Sequence, residues 1–389
     1  MKFRAAFADP APEMPGTQGQ APGKLDIDAG KFIVMLGTSP ATRGGIAAVV
    51  STYRDGGLFE SARIRYVATH SDGSRVTKAW RFVQGFGELL MLLVLGRVAA
   101  VHAHVSSRAS FWRKSILLLV CRIFGRATMF HLHSGGFAEW VGSEKKGSLR
   151  QRWIRHTLES SAVVVVLTAT WARWITEFAP RANVRVLGNP VALPATELLA
   201  EQRASFSGPG RVLFLGWIYD FKGCYDLLKA WVSFREQFPG WRLAVGGKGE
   251  VDEFLVEADR LGIREDIDFL GWVAGEDKDR ELRRADVFVL PSYREGMPVS
   301  ILEAMAYGVA VVTTPVGGVP DMMVEGVHGL WFKPGDIAAL STRLGELAGD
   351  PSLRARLANE ARSHVVRNSS VEAVLRPLTR LYAELIRGR

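Results

Sequence analysis

The chain has 389 residues, of which 48% are hydrophobic and 23% are charged. This length allows two α/β domains with substantial cores, and the composition is typical of a globular protein. Its two cysteines, Cys121 and Cys224, are too few for a disulfide framework and are typical of a reducing compartment. The formal net charge of +9 points to an anionic partner for some part of the surface.

Residues 1–29 are rich in Pro, Gly and Gln and contain no apolar core, so we predict a disordered lead without a signal peptide. The best candidate for a membrane span, residues 89–95, is closed by Arg97. It is far shorter than the roughly 20 apolar residues that a span needs.

The first predicted strand, 31–36, leads through a loop into a helix that starts at Ile46. The loop ends in Gly44 and Gly45, and glycines at a helix entry allow backbone N–H groups to approach a phosphate. An ordinary βα turn is an equal alternative for this pair. The loop is not the Gly-x-Gly-x-x-Gly dinucleotide fingerprint, which argues against a dehydrogenase.

Two further predicted strands, 98–105 and 127–133, both end in His-x-His. The alternation of a strand places each pair on one face: His102 with His104, and His131 with His133. Four histidines near adjacent strand ends admit a zinc site. No Asp, Glu or Cys stands beside them, so ordinary strand-end histidines are the preferred interpretation.

An all-apolar strand at 161–167 is typical of the centre of a parallel sheet. After a Pro- and Gly-rich stretch, a second α/β series begins. Its predicted strands are 211–217, 241–249, 267–273, 285–290, 309–313 and 329–335. An amphipathic helix is predicted at 371–386.

The most informative stretch is 291–308, which follows the strand at 285–290. Pro291 and Gly296 predict a loop that contains Glu295, and Pro298 suits the first turn of a helix that carries Glu303. The carboxyl edge of a parallel sheet is where ligands bind, and a helix N-terminus there attracts an anion. Two carboxylates beside an anion site would repel the anion unless they bind another part of the ligand. Sugar and ribose hydroxyls can donate hydrogen bonds to them and so meet that requirement.

The string Pro-Ser-x-x-Glu-Gly-x-Pro-x-x-x-Leu-Glu-Ala-Met-Ala-x-Gly in this stretch resembles the signature of family 4 of the retaining glycosyltransferases (glycosyl transferases group 1). The resemblance implies the GT-B fold, an α/β architecture of two Rossmann-like domains whose parallel sheets face an interdomain cleft. The implied division is an acceptor-binding domain at 30–191, a linker at 192–210, a nucleotide-sugar-binding domain at 211–368, and a C-terminal helix at 369–389 that crosses back to the first domain.

The resemblance also implies roles for individual residues. Glu295 would contact the donor sugar, Glu303 would hold the ribose, and Lys222 would neutralise the donor diphosphate. The implied catalytic residues are His133, Lys222 and Glu295, and His104 is a further candidate for the cleft wall. The implied donor-binding residues are Gly44, Gly45, Lys222, Trp272, Glu295, Gly296, Met297, Pro298, Val299 and Glu303.

One position departs from the family pattern. Members often carry Gly-Arg after the first strand of the second domain, and that arginine shares the diphosphate with the lysine. Here the pair is Gly216-Trp217. Either Lys222 acts with helix N–H groups alone, or Arg294 or Arg43 substitutes.

The resemblance implies retaining transfer of a hexosyl group from a nucleotide sugar to a glycan or polyprenyl-diphosphate-linked acceptor, as in bacterial exopolysaccharide, capsule or lipopolysaccharide synthesis. We expect no cofactor and no metal, because no Asp-x-Asp motif follows a strand in the donor half and Asp277-Lys-Asp279 is more typical of a helix start. A GT-B protein that binds sugar nucleotides or acts as a scaffold, with weakened catalysis, is the alternative.

Residues 62–156 contain 16 Lys or Arg and 4 Asp or Glu, a local net charge of +12 that leaves about −3 for the remainder. Trp and Phe stand among these charges, a pattern typical of a surface that binds anionic lipid headgroups. A solvated basic face is the plainer alternative, and no nucleic-acid recognition motif is present. We therefore expect a cytoplasmic protein attached peripherally to the inner membrane face.

Overall fold

The computed structural model describes residues 24–42, 44–195 and 210–388. Most of the predicted lead and most of the predicted linker lie outside the described residues, as does Arg43.

The N-terminal domain is built on a sheet of six parallel strands in the order β2-β1-β3-β4-β5-β6. Apolar residues are buried on both faces of this sheet, as a parallel sheet flanked by helices requires. The strands are β1 (Phe32–Gly37), β2 (Ile64–Ala68), β3 (Val98–Val105), β4 (Thr128–Leu132), β5 (Val163–Val166) and β6 (Val184–Val186). The helices are α1 (Gly45–Asp55), α2 (Leu58–Ser61), α3 (Arg75–Val94), α4 (Ala109–Ile123), α5 (Phe137–Gly142), α6 (Leu149–Glu159) and α7 (Ala169–Phe178).

The C-terminal domain repeats this plan with the strand order β12-β11-β10-β7-β8-β9, so its first strand is central and the order reverses beside it. The strands are β7 (Arg211–Ile218), β8 (Arg242–Gly249), β9 (Ile267–Gly271), β10 (Val287–Leu290), β11 (Ala310–Thr313) and β12 (Leu330–Trp331). The helices are α8 (Cys224–Gln237), α9 (Val251–Arg260), α10 (Glu276–Arg284), α11 (Val299–Ala306), α12 (Val319–Met322), α13 (Ile337–Gly349), α14 (Pro351–Ser369) and α15 (Val371–Arg387).

The predicted α/β class with two parallel sheets is confirmed. Strand β3 has the predicted limits, whereas the strand predicted at 329–335 is only two residues long, Leu330–Trp331. Sequence reasoning missed β2 altogether. The strand has five residues and mixes polar with apolar side chains. This composition is compatible with its place at the edge of the sheet, where part of the strand is exposed.

The last helix, α15, follows the C-terminal domain in the chain but packs against the N-terminal sheet. Leu378 and Tyr382 are buried in one cluster with Ile33 and Met35 of β1. The Tyr382 hydroxyl also lies 2.6 Å from Nδ1 of His102 in β3. The helix therefore ties the end of the chain to the first domain. None of the helices in the described part of the chain combines the length and apolarity needed to span a bilayer.

Candidate active site between the domains

A cavity of about 610 Å³ separates the carboxyl ends of the two sheets and takes its walls from both domains. It lies where strand order reverses in the second sheet, the usual ligand position in such sheets. All the residues that the sequence proposed for catalysis or donor binding line it: Gly44, Gly45, His133, Lys222, Trp272, Glu295, Gly296, Met297, Pro298, Val299 and Glu303.

Glu295 is held in the loop between β10 and α11 by two contacts to one carboxylate oxygen. Lys222 Nζ lies 2.6 Å from Glu295 Oε1, and Ser292 Oγ donates to the same oxygen at 2.6 Å. Both charged side chains are largely withdrawn from water. Removing two charges from water is costly unless they compensate each other. The ion pair therefore stabilises the loop conformation that brings Glu295 to Lys222.

Glu303 projects from α11 and pairs with Lys278 Nζ at 2.5 Å. Burial raises the pKa of the Glu303 carboxyl, and Lys278 opposes that rise. Lys278 belongs to α10, which begins at Glu276 as the acidic Asp277-Lys-Asp279 segment suggested. Sequence reasoning gave Lys278 no part in the site, because no local pattern links it to a residue 25 positions away.

Two helices from opposite domains direct their N-termini into the cavity. The residues that precede them, Gly44 before α1 and Pro298 before α11, line the cavity, and neither helix has a side-chain cap. Gly44 has a φ of +150°, a region in which a glycine is favoured. The first N–H groups of an uncapped helix attract an anion.

His133 reaches the cavity wall as a neutral imidazole. Its Nε2 lies 2.8 Å from Nδ1 of His104, and burial lowers the pKa of His133 to about 3. His104 itself is buried behind His133 and is absent from the wall, contrary to the expectation that it would line the cleft. Its contribution is to hold the His133 ring.

His102, His104 and His131 place one nitrogen each within 4.8 Å of one another, which is the arrangement behind the zinc alternative. Hydrogen bonds already engage part of this set, since His102 Nε2 lies 3.0 Å from His131 Nδ1 and His102 Nδ1 contacts Tyr382. The imidazoles therefore satisfy one another in part, while Nε2 of His104 and Nε2 of His131 are buried without a hydrogen-bond partner among the described residues.

Trp217, at the position of the family's arginine, lines the cavity, and its ring centre lies 5.6 Å from that of Trp272. Arg294, one proposed substitute, lines a separate surface depression with Asp220 and Phe221. Of the described residues that line the cleft cavity, Lys222 and Lys278 are the lysines, and none is an arginine.

The domains approach each other through backbone at the Glu295 loop. A Cβ at Gly135 would lie 2.1 Å from the Glu295 carbonyl oxygen, and one at Gly317 would lie 1.9 Å from it. Asn189 Nδ2 donates across the interface to the Met297 carbonyl at 3.0 Å. Sequence reasoning did not assign these residues to the site, because a close approach between distant segments leaves no local pattern.

Residues 196–364 match the family described as glycosyl transferases group 1. The described part of the chain has the GT-B fold: sucrose-phosphate synthase from Thermosynechococcus elongatus superposes with a TM-score of 0.76 at 18% identity, covering 92% of this chain and 100% of that one. Anabaena HepE in complex with UDP-glucose gives 0.69 at 18% identity, covering 92% and 99%.

Among curated proteins, the glycogen synthase of Mycobacterium tuberculosis is 26% identical over 67% of this chain and 63% of its own length. The D-inositol 3-phosphate glycosyltransferase of Corynebacterium jeikeium is 32% identical over 44% of this chain and 43% of its own. The matches thus span less than two thirds of each relative.

Gly135 allows a direct test of the domain contact. We expect Gly135→Ala to disfavour the closed cleft by about 1–3 kcal/mol, because the new methyl group meets a backbone carbonyl that cannot move away cheaply. Small-angle scattering should show a larger radius of gyration. Gly136→Ala is the matched control, since its Cβ would meet nothing closer than 3.9 Å. Identical scattering curves for both variants would contradict the assigned contact.

Proposed function

We propose that this protein is a retaining glycosyltransferase that moves a hexosyl group from a nucleoside-diphosphate sugar to a glycan or lipid-linked acceptor. The observation that carries the proposal is the shared cavity in which Lys222, Glu295 and Glu303 meet two uncapped helix N-termini. The group 1 family match supports it, as does the UDP-glucose complex of HepE, which has the same fold.

The donor diphosphate binds between Lys222 and the N-termini of α1 and α11. These groups carry positive charge or partial charge and come from both domains, so closure of the cleft surrounds the anion. As the bond to the sugar breaks, negative charge grows on the leaving diphosphate. Fixed donors at that position stabilise the transition state more than the ground state.

The two carboxylates accept hydrogen bonds from the hydroxyl groups of the donor. Glu303 accepts hydrogen bonds from the ribose hydroxyls, which replace or join the bond from Lys278. These donors favour the charged carboxylate and so oppose the rise in its pKa that burial causes. Glu295 accepts from the sugar while Ser292 and Lys222 keep its carboxylate oriented. Trp272 and Trp217 offer aromatic surface near the nucleoside.

No separate base is needed for the acceptor. Glu295 and Glu303 are the carboxylates among the described residues of the cavity wall, and each is paired with a lysine. His133 contributes a neutral ring at the transferred sugar. The acceptor oxygen bonds to the anomeric carbon as the bond to the diphosphate breaks, and the hydroxyl proton passes to a diphosphate oxygen on the same face, which gives retention.

Alanine variants of the two carboxylates separate binding from turnover. We expect Glu303→Ala mainly to weaken binding of the nucleoside diphosphate and Glu295→Ala mainly to lower kcat. Each effect should be about 1–3 kcal/mol, as for loss of a hydrogen bond to a charged group. Titration calorimetry and steady-state kinetics measure the two quantities. Wild-type values in both variants would overturn the site assignment.

We propose that charge neutralisation here uses lysines and helix dipoles, without a metal or cofactor. Activity should therefore survive exhaustive treatment with EDTA and stay unchanged when Mg²⁺ or Zn²⁺ is added back. A loss with EDTA that zinc alone restores would favour the histidine cluster as a metal site. Metal content after dialysis, measured by mass spectrometry, gives a readout that does not depend on turnover.

A second feature concerns the acceptor and the place of action. Five apolar side chains of α3 recur at helical spacing and are 55–78% exposed: Val76, Trp80, Val83, Met91 and Val94. This face lies within the +12 segment. An exposed apolar stripe among basic residues suits an anionic bilayer surface. We therefore propose peripheral attachment to the inner face of the cytoplasmic membrane and a lipid-linked acceptor.

Liposome co-sedimentation tests this attachment. We expect binding to anionic vesicles that weakens with salt, since each basic residue near the surface contributes about 1 kcal/mol. The double variant Trp80→Ser/Val83→Ser should bind less. Val256→Ser is the matched control, because Val256 is 67% exposed but belongs to the other domain. Negligible binding to both anionic and neutral vesicles would contradict the proposal.

The alternative of a weakened GT-B binding protein rests on Trp217 at the arginine position. Turnover distinguishes the two functions: a binding protein would be stabilised by a sugar nucleotide yet would neither hydrolyse nor transfer it.

A further inference from the structure

Lys114 is a buried cation for which the described residues supply no counter-charge. It lies in α4 and is 1% exposed. None of the ion pairs or side-chain hydrogen bonds among the described residues involves its ammonium group. A buried ammonium without a partner is costly, and an apolar residue of similar size would be more stable there. The proposed donor chemistry does not use Lys114.

Two further polar atoms of the N-terminal domain, one of them on the residue next to Lys114, are also unsatisfied. Arg113 Nε and His70 Nδ1 are buried without a hydrogen-bond partner among the described residues. Burial lowers the pKa of His70, and the charges of Arg113, Lys78 and Lys114 lower it further, opposed by Asp72. The charges of three basic side chains and one carboxylate thus act on His70.

The cluster lies at the cleft side of the N-terminal domain. His70 follows β2, and its carbonyl accepts from Ser39 N in the loop after β1 at 2.7 Å. Lys114 lies close enough to His104 for its charge to lower the pKa of that imidazole, and His104 supports His133 in the cavity wall. His70 follows β2 and α4 follows β3, so these residues lie at the carboxyl edge of the N-terminal sheet, the edge that borders the cleft.

The backbone that leads into α4 is strained. Arg108, immediately before the helix, has a φ of +55°. A non-glycine residue in this region costs about 1–3 kcal/mol and is found most often at functional sites.

We propose that Lys114, Arg113 and His70 form an anion subsite that binds a phosphate or diphosphate group of the acceptor. The inference rests on the proposed function and specifies the acceptor class. Burial and the neighbouring Arg113 lower the pKa of Lys114 to about 7, so an incoming phosphate would restore its charged form. Because Lys114 is buried, it suits a small anion that enters the cleft rather than headgroups across a flat bilayer.

Calorimetric titration of the full chain with inorganic pyrophosphate tests the subsite, with the donor site saturated by UDP or GDP, whichever raises Tm. We expect saturable binding that weakens at least tenfold in Lys114→Met and in Arg113→Met. Lys146→Met is the matched control, because Lys146 is an exposed lysine of the same basic segment. Lys114→Met should also keep or raise Tm, because it removes a buried charge. A purely structural lysine would instead lower Tm when replaced.

Wild-type affinity in Lys114→Met, or absence of saturable binding, would overturn the subsite. Farnesyl diphosphate and farnesol identify the source of the anion. Tighter binding of farnesyl diphosphate than of pyrophosphate indicates a lipid-linked acceptor, and equal binding indicates a free phosphorylated one; farnesol should not bind. If neither nucleotide raises Tm, the proposed function fails, and the titration is repeated in Lys222→Ala to test the subsite by itself.

Discussion

The shape of the cleft depends on close contacts between main-chain atoms at Glu295. Gly135 from the first domain and Gly317 from the second both face the carbonyl of that residue, at positions where any Cβ would overlap it. Such a contact leaves no room for an added side chain, since a protein interior is packed as densely as an organic crystal. It places the Glu295 carboxylate, which is paired with Lys222, in the wall of the same cavity that His133 lines.

Charge in the cavity is arranged in balanced pairs. Lys222 with Glu295 and Lys278 with Glu303 keep two carboxylates and two ammonium groups out of water without leaving any of the four uncompensated. A ligand that brings both an anion and hydroxyl groups can satisfy all four at once, and a nucleoside-diphosphate sugar has that composition. Lys114 is different, because it is buried and none of the ion pairs among the described residues includes it.

Several features could be predicted from local sequence. Alternating apolar strands and helices predicted two parallel sheets, and the strand limits of β3 were correct, because buried parallel strands are nearly all apolar. The residues proposed around 291–308 line one cavity because a strand, a loop and a helix in succession must deliver them to the same sheet edge. The edge strand β2 escaped prediction because half exposure weakens the apolar pattern.

What the sequence by itself determined is therefore the plan of the fold and the chemistry carried by contiguous segments, Glu295 and Glu303 above all. Only the tertiary structure decided which distant residues complete that chemistry. Lys278 beside Glu303, His104 behind His133, Arg294 outside the cavity and Lys114 without a counter-charge are all of this kind. The reason is physical: local patterns record hydrophobic periodicity and backbone preference, whereas the pairing and burial of charges depend on which segments packing brings together.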